Sequence, residues 1–571
     1  MKANPVIARK RSDRSNLDCF VGLLGLLAMT LLLSALSFGE KRQTEALLGR
    51  IPVQSGGRVK PFESFAREAV FSVTGKGSVE GKGAALIVWE WISKPEDWHT
   101  KSFLPVKYAP LREEFPLMVI GGKISPEIVL SHGPFQAQVK EAMAKDQRRE
   151  RLSGLERKRI QLYDQARLFQ AIAQGDLPGF IPNPVDPKGG WIALAGLANP
   201  EERILLEAHY PSEELAEFQA ALSHFVENFR GGDKSLLEPT RRLEFSLEKL
   251  IESKGVIPDS KKIRLELFYH QIRPFQWAWI FYLASGILWF LFRDRFSILA
   301  SGFFLAGFIS HTLGFSIRAY LAGRPPVTNM YESIIWVAWA ACFFSLLLRI
   351  VYKKDILSAS AAWVAFLALL IGESFPAVLD PSLSPLVPVL RNNYWLTVHV
   401  LTITLSYGAF ALAWGLGHVQ LVNSAFTPEK WEEKERLAVY LYRTLQIGVI
   451  LLTAGTILGG VWANDSWGRF WGWDPKETWA LTALLGYLIV LHGRFSGWLG
   501  SFGTALGSVL AFLGVLMAWY GVNFVLAAGF HSYGFATGGL PYVLSAVLAD
   551  LVFIFFLVFR YNKIRSALSH R

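Results

Sequence analysis

From residue 275 to the C-terminal tail, one apolar run follows another, each long enough to cross a bilayer as a helix. The candidate spans lie near 275–292, 296–320, 331–351, 356–374, 394–424, 437–461, 480–496, 499–524 and 540–560. A further run at 17–38 brings the number to ten. With 51% hydrophobic residues and a mean hydropathy of +0.29, a wholly soluble fold is excluded. The expected fold class is an all-α polytopic membrane bundle of about ten transmembrane helices, with an extracytoplasmic soluble region after the first.

Charge orients this bundle. The net charge of +11 could suggest nucleic acid, but the basic residues bunch at the ends of apolar runs, where topology expects them. A basic N-terminus, 1–16, is expected to stay in the cytoplasm, and 17–38 to remain as a transmembrane anchor; a cleaved signal peptide is the alternative. Residues 39–274 hold no spanning run and most of the acids, and are expected outside. Within them, "IPVQSGGRVKPFESFAREAV" reads as a turn followed by a helix, and 136–175 as a solvated helical hairpin or linker. The membrane module then occupies 275–571. "FRDR", "RIVYKKD", "TPEKWEEKER", "HGR" and the tail "FRYNKIRSALSHR" all fall on the cytoplasmic side. The unusual loops, "GRPPVTNMYES", "FPAVLDPSLSPLVPVLRNNYW", a tryptophan-rich run and "NFVLAAGFHSYGF", then share the outer face. The two cysteines, Cys19 and Cys342, provide neither a disulfide framework nor a CxxC pair, and without CxxCH the chain is not itself a c-type cytochrome.

The tryptophan-rich run, "ANDSWGRFWGWDPKETWAL", places Trp467, Trp471, Trp473 and Trp479 among Arg469, Asp474, Lys476 and Glu477. Gly468, Gly472 and Pro475 interrupt a long helix there, and the indoles suggest a large flat π surface with charged edges. An aromatic belt at the headgroup level is the competing reading. His399 lies about one turn inside its span, and His531 in an outer loop two spans after the tryptophans. Both are placed to reach a flat ligand from opposite sides, and two histidines about 4 Å apart can hold a haem iron. Hydrogen-bonded structural histidines remain the alternative. His492 lies about 20 Å deeper than Trp479, where an ionisable group is either functional or snorkelling beside Arg494. His311 and His418 are mid-span and near the inner end of theirs, and both suit structural roles better.

"WGRFWGWDPKETWAL", followed by "LLGYLIVLHGR", resembles the WWD signature of haem-handling proteins. "GRPPVTNMYESIIWVAW" and "NNYWLTVHV" are similar to the CcsA (ResC) branch of System II cytochrome c biogenesis. The resemblance covers 275–571, with the WWD loop at 462–479, and 39–274 looks like the extension that precedes this module in some long members. It implies a subunit of a cytochrome c synthase, a thioether-forming haem lyase that moves haem b to the outer face and attaches it to the CxxCH segment of apocytochrome c. His399 and His531 then match the outer haem ligands and His492 an inner one, with Trp467, Trp471, Trp473, Asp474 and Trp479 against the haem. The second inner ligand comes, in that family, from a CcsB (ResB) protein, and no CcsB module is visible in this chain. A separate CcsB-type partner is therefore expected, with a thiol-reducing partner, in a bacterial inner membrane with both termini cytoplasmic. No residue is assigned to proton transfer; Asp474, Lys476 and Glu477 suit propionate contacts or loop shaping. Two other classes stay open: a haem exporter or chaperone without ligase activity, and a membrane b-type cytochrome in electron transfer.

Overall fold

A computed structural model describes residues 40–148, 150, 152–186, 189–232, 235–255, 258–376, 378–383, 393–427, 431–526 and 539–569. The expected anchor at 17–38 and His531 lie outside the described residues. The chain divides into two compact units at Ile272/Arg273.

The first unit opens on a tight hairpin. Gly56 (φ 61°) and Gly57 (φ 78°) form a turn that side chains resist, and it folds β1 (Pro52–Ser55) back on β2 (Arg58–Pro61). β3 (Gly179–Ile181) and β4 (Ile192–Ala193) complete an antiparallel sheet in the order β2-β1-β3-β4. Gln54 secures it by donating to the Gly189 carbonyl at 2.9 Å and accepting from the Trp191 amide at 2.6 Å. The turn-then-helix reading of this segment is thus a hairpin followed by α1 (Phe62–Thr74), whose Phe62 enters an aromatic core with Trp89, Phe180 and Phe225. The charged 136–175 stretch is a helical hairpin, α2 (Gly133–Gln147) and α3 (Gly154–Ala173). It is more than a solvated linker: Leu162, Ala166, Phe169 and Ile172 line up at helical spacing and are buried in the same core. Helices α4 (Ser212–Gly231) and α5 (Leu237–Glu252) pack beside one another, and α6 (Ser260–Ile272) brings Glu266 to the hairpin. Arg58 grips that carboxylate through both terminal nitrogens at 2.8 Å, and the Ser64 hydroxyl donates to it at 2.6 Å.

The second unit is the membrane bundle: α7 (Pro274–Phe292), α8 (Ser297–Ala322), α9 (Met330–Tyr352), α10 (Asp355–Ser374), α11 (Leu401–Phe426), α12 (Trp431–Trp467), α13 (Pro475–Phe495), α14 (Ser501–Leu516) and α15 (Leu540–Ser569). Among the described residues, nine helices are long and apolar enough to cross a membrane. π-helical turns extend α11 backwards over Leu396–Val400 and α14 forwards over Met517–Leu526. Helix α11 runs through the centre, touching α9, α10, α12, α14 and α15. It does so by presenting small residues: a Cβ on Gly408 would stand 2.4 Å from that of Ala340. Between α8 and α9 the "GRPPVTNMYES" motif folds around Glu332, a buried carboxylate that accepts from Arg318 (3.1 Å), Arg324 (2.9 Å) and the Thr328 amide and hydroxyl (3.0 and 2.8 Å). Asn329 caps α9 by accepting from the Glu332 amide.

Candidate functional site

The tryptophan-rich run is mostly the ends of two helices. α12 continues to Trp467 and α13 begins at Pro475, so the unwound part is the seven residues 468–474, shorter than 462–479. Asp474 caps α13: its carboxylate accepts from the Lys476 amide at 2.9 Å, while Glu477 reaches back to the Asp474 amide at 3.2 Å. Glu477 also accepts from the Gly472 amide at 2.8 Å and faces Arg469 at 3.7 Å. The acids therefore shape the loop, and Asp474 is almost fully buried in doing so. Arg469 leans on the Trp467 ring at 5.8 Å. Trp473 takes a left-handed φ of 56° and stands 70% exposed, while Trp471 meets it edge-on at 5.9 Å and 87°. These two indoles do not make one flat surface; the capped turn sets them at right angles.

His399 sits on the π-turn that leads into α11, and its ring is half-buried. Its Nδ1 lies 2.8 Å from the Gly455 carbonyl on α12. A carbonyl only accepts, so Nδ1 carries the proton, and this contact fixes the orientation of the ring. The imidazole fits because α12 offers glycine beside it: a Cβ on Gly459 would lie 2.6 Å from His399 Cε1. Trp462 lies against the ring at 5.6 Å and belongs to a cluster with Val327 and Trp336, flanked by Phe315, Trp339, Trp395 and Leu401. Trp395 donates from its indole N–H to Asp465 at 3.1 Å. Gly455, Gly459, Trp462, Trp395 and Trp336 escaped the sequence reading. The signal for the glycines was there, in "GTILGG", where small residues four apart mark a close helix approach.

The other intramembrane histidines are held in different ways. His492, exposed near the far end of α13, donates from Nδ1 to the Leu488 carbonyl at 2.8 Å. It shares a stripe of exposed side chains with Leu485 and Ile489. His311 is fully buried and uses both nitrogens, facing the Ile335 carbonyl at 3.0 Å and the Tyr282 hydroxyl at 3.4 Å. His418 is bound by the Trp414 carbonyl (2.9 Å) and by Asp550 of α15 (2.8 Å). Both of these have structural partners at each nitrogen.

Nine spanning helices among the described residues, with a half-buried histidine among indoles at the tryptophan end, define a multi-pass membrane protein, and comparison with known sequences gives its class. The family described as cytochrome C assembly protein matches residues 327–530. Cytochrome c biogenesis protein CcsA of Prochlorococcus marinus (strain MIT 9301) is 36% identical over 259 residues, 40% of this chain and 82% of that protein. CcsA of Synechococcus sp. (strain CC9311) is 34% identical over 262 residues, 39% of this chain and 83% of the relative. Protein NrfI of Wolinella succinogenes is 30% identical over 511 residues, covering 85% of this chain, so the likeness reaches into the first unit. The chain spans only 54% of NrfI. The chain belongs to the CcsA family of cytochrome c biogenesis proteins.

Proposed function

We propose that this chain is the haem-handling subunit of a cytochrome c synthase, holding haem b at the outer face of a bacterial inner membrane for attachment to apocytochrome c. The observation that carries the reading is the seat of His399 on the π-turn before α11, with its Nδ1 held by the Gly455 carbonyl and its ring against Trp462 at the tryptophan end. His399, seated against Trp462, is one axial ligand of the outer haem, and His531 the other. Trp467, Trp471, Trp473 and Trp479 border the same haem, and Asp474 holds their loop in shape through its cap on α13.

His492 is the inner ligand. It lies thirteen residues along α13 from Trp479, about 20 Å away at the helical rise, so it does not share an iron with His399. Its position on an exposed stripe suits a second ligand brought by a separate CcsB-type protein lying on that face. Haem thus enters at His492 and is passed to the outer pair. Attachment adds each cysteine of a CxxCH segment across a haem vinyl: sulfur bonds to one vinyl carbon and the proton goes to the other, with no net oxidation. The chain's contribution is placement, which is a large term for joining two bound partners. A thiol-reducing partner keeps the cysteines reduced. The N- and C-termini, and the segments near 355 and 430, lie in the cytoplasm, whereas 39–274 and the tryptophan loop lie outside.

Haem content and absorption spectra of His492→Ala and His399→Ala, each co-expressed with the CcsB-type protein, test this order. His492→Ala is expected to empty the outer site, and His399→Ala to leave the inner haem bound. A fully loaded outer site in His492→Ala would refute delivery through this residue. Thioether-linked haem on a supplied CxxCH peptide separates a synthase from a haem exporter, and its absence with both sites loaded would favour the exporter.

A further inference from the structure

The first unit exposes one concentrated apolar projection. Two short antiparallel strands, Leu104–Pro105 and Lys123–Ile124, hold the base of a loop between them. Phe115 plugs that loop into the core: it is buried and meets the Phe135 ring of α2 at 5.0 Å. Beyond it the chain turns outward as "PLMVIGG", 116–122. Gly121 (φ 57°) and Gly122 (φ 75°) supply a tight turn, and Ile120 and Lys123 close it by exchanging backbone hydrogen bonds at 2.8 and 3.0 Å. The tip is therefore held in shape, yet Leu117 is fully exposed, Ile120 is 69% exposed, and Met118 and Tyr108 also face solvent. Leu117 does so at a left-handed φ of 64°, a backbone that leucine rarely adopts. Single exposed apolar side chains are ordinary on a protein surface, and the first unit has others, such as Ile204 and Phe245, far apart in sequence. Three within four residues on a fixed turn mark a contact surface.

Basic side chains collar the base of this tip. Arg112 donates to the Val106 and Lys107 carbonyls at 2.6 and 3.2 Å, which holds its guanidinium beside Gly122, and Lys107 and Lys123 flank the loop, both exposed. From α3, Arg157 and Lys158 add to them: burial, then the positive charges of Arg157 and Lys107, push the Lys158 ammonium below its ordinary value. Of the two acids within the loop, Glu114 is bound by Arg159 at 2.6 Å, which leaves Glu113. Apolar side chains at a tip with a basic collar fit a bilayer that carries anionic headgroups, where the side chains enter the acyl boundary and the cations stay with the phosphates. A protein interface of usual size needs far more area than a tip of this width offers. Only Arg273 separates α6, the last helix of this unit, from α7, so the unit is tied directly to a membrane helix. That tether lets a small contact count, because the second binding event is intramolecular.

We propose that Leu117, Met118 and Ile120 insert into the surface of the bilayer that α7 crosses, with Lys107, Arg112 and Lys123 on its anionic headgroups. The loop is then a second, reversible membrane contact of the first unit, and it is independent of haem. The test uses the full chain in nanodiscs of phosphatidylethanolamine and phosphatidylglycerol, with Met118→Cys carrying an environment-sensitive nitrobenzoxadiazole dye. The chain without this substitution gives the labelling blank. Bromine on the lipid acyl chains quenches only a dye that reaches them. Strong quenching is expected at Met118→Cys and none at Ile204→Cys, an exposed site of the same unit. Leu117→Asp with Ile120→Asp, added to the Met118→Cys chain, should cut the quenching about fivefold. Lys107→Glu with Lys123→Glu should cut it about twofold, as should phosphatidylcholine in place of phosphatidylglycerol. All these side chains are exposed, so the fold is not at stake. A blue-shifted dye that brominated lipid does not quench would put the tip against protein, and emission typical of water would leave it in solvent; either result overturns the proposal. Quenching indifferent to both the charge reversal and the headgroup overturns the part given to the basic collar.

Discussion

A single missing side chain decides whether His399 can hold its place. Gly459 faces the imidazole so closely that even a methyl group would stand 2.6 Å from Cε1, and the Gly455 carbonyl holds the adjacent Nδ1. Gly459→Val is therefore expected to push the imidazole off the Gly455 carbonyl and abolish outer haem binding, while the helix itself gains propensity. Optical spectra of purified Gly459→Val, beside a melting curve, check this; an unaltered Soret band would show that His399 does not depend on the gap. At this scale the sequence pointed to His399 and Asp474 by residue type and neighbourhood. It could not say how each histidine is held, because that depends on which carbonyl or carboxylate a neighbouring helix brings to each nitrogen. Asp550 lies 132 residues from His418, and no local pattern joins them.

At the scale of elements, two caps show how side chains fix helix ends. Glu332 receives two arginines and the Thr328 hydroxyl at the start of α9, all within the interior. Removing the carboxylate takes its ion pair from two buried cations, so Glu332→Ala is expected to destabilise the bundle by about 3–5 kcal/mol. Thermal unfolding in detergent measures it, and a shift no larger than that of an exposed Glu432→Ala control would refute the role. In the first unit, Ser153 and Glu156 form a reciprocal cap on α3, and Lys145 of α2 joins them at 2.8 Å. The Lys145 hydrogen bond, followed by those of Ser153, holds the Glu156 carboxyl down at about 2. A carboxyl whose folded value is depressed stabilises the fold above its ordinary value near 4.5 and loses that contribution as pH falls toward about 2. The melting temperature of Glu156→Gln should accordingly lie below wild type at neutral pH, with the gap closing between pH 4.5 and about 2; a pH-independent gap would refute the linkage. The sequence reading of 136–175 as a helical hairpin did not include this cap, and the contact with Lys145 required the hairpin to close.

On the scale of the whole molecule, the first unit carries its own aromatic core around Phe62, Trp89, Phe180 and Phe225. A fragment of residues 40–272 is expected to be soluble and to unfold cooperatively on its own, as circular dichroism would report; a non-cooperative melt would mean that this core needs the membrane unit. The sequence by itself determined the class of fold, because about twenty consecutive apolar residues have no stable alternative to a membrane helix. All nine spans expected from 275 onward are helices, with ends displaced by a few residues where caps and π-turns intervene. It also determined the family, since separated motifs keep their order along the chain. What it could not supply was the pairing of surfaces. Apolar runs in lipid carry little information about which face meets which neighbour, because every face is equally content with hydrocarbon. Only tertiary structure decided that Trp462 and Gly459 seat His399, and that His418 is tied to Asp550. Each of these joins residues on different helices, and small side chains and scarce hydrogen-bonding groups select such partners only when the bundle closes.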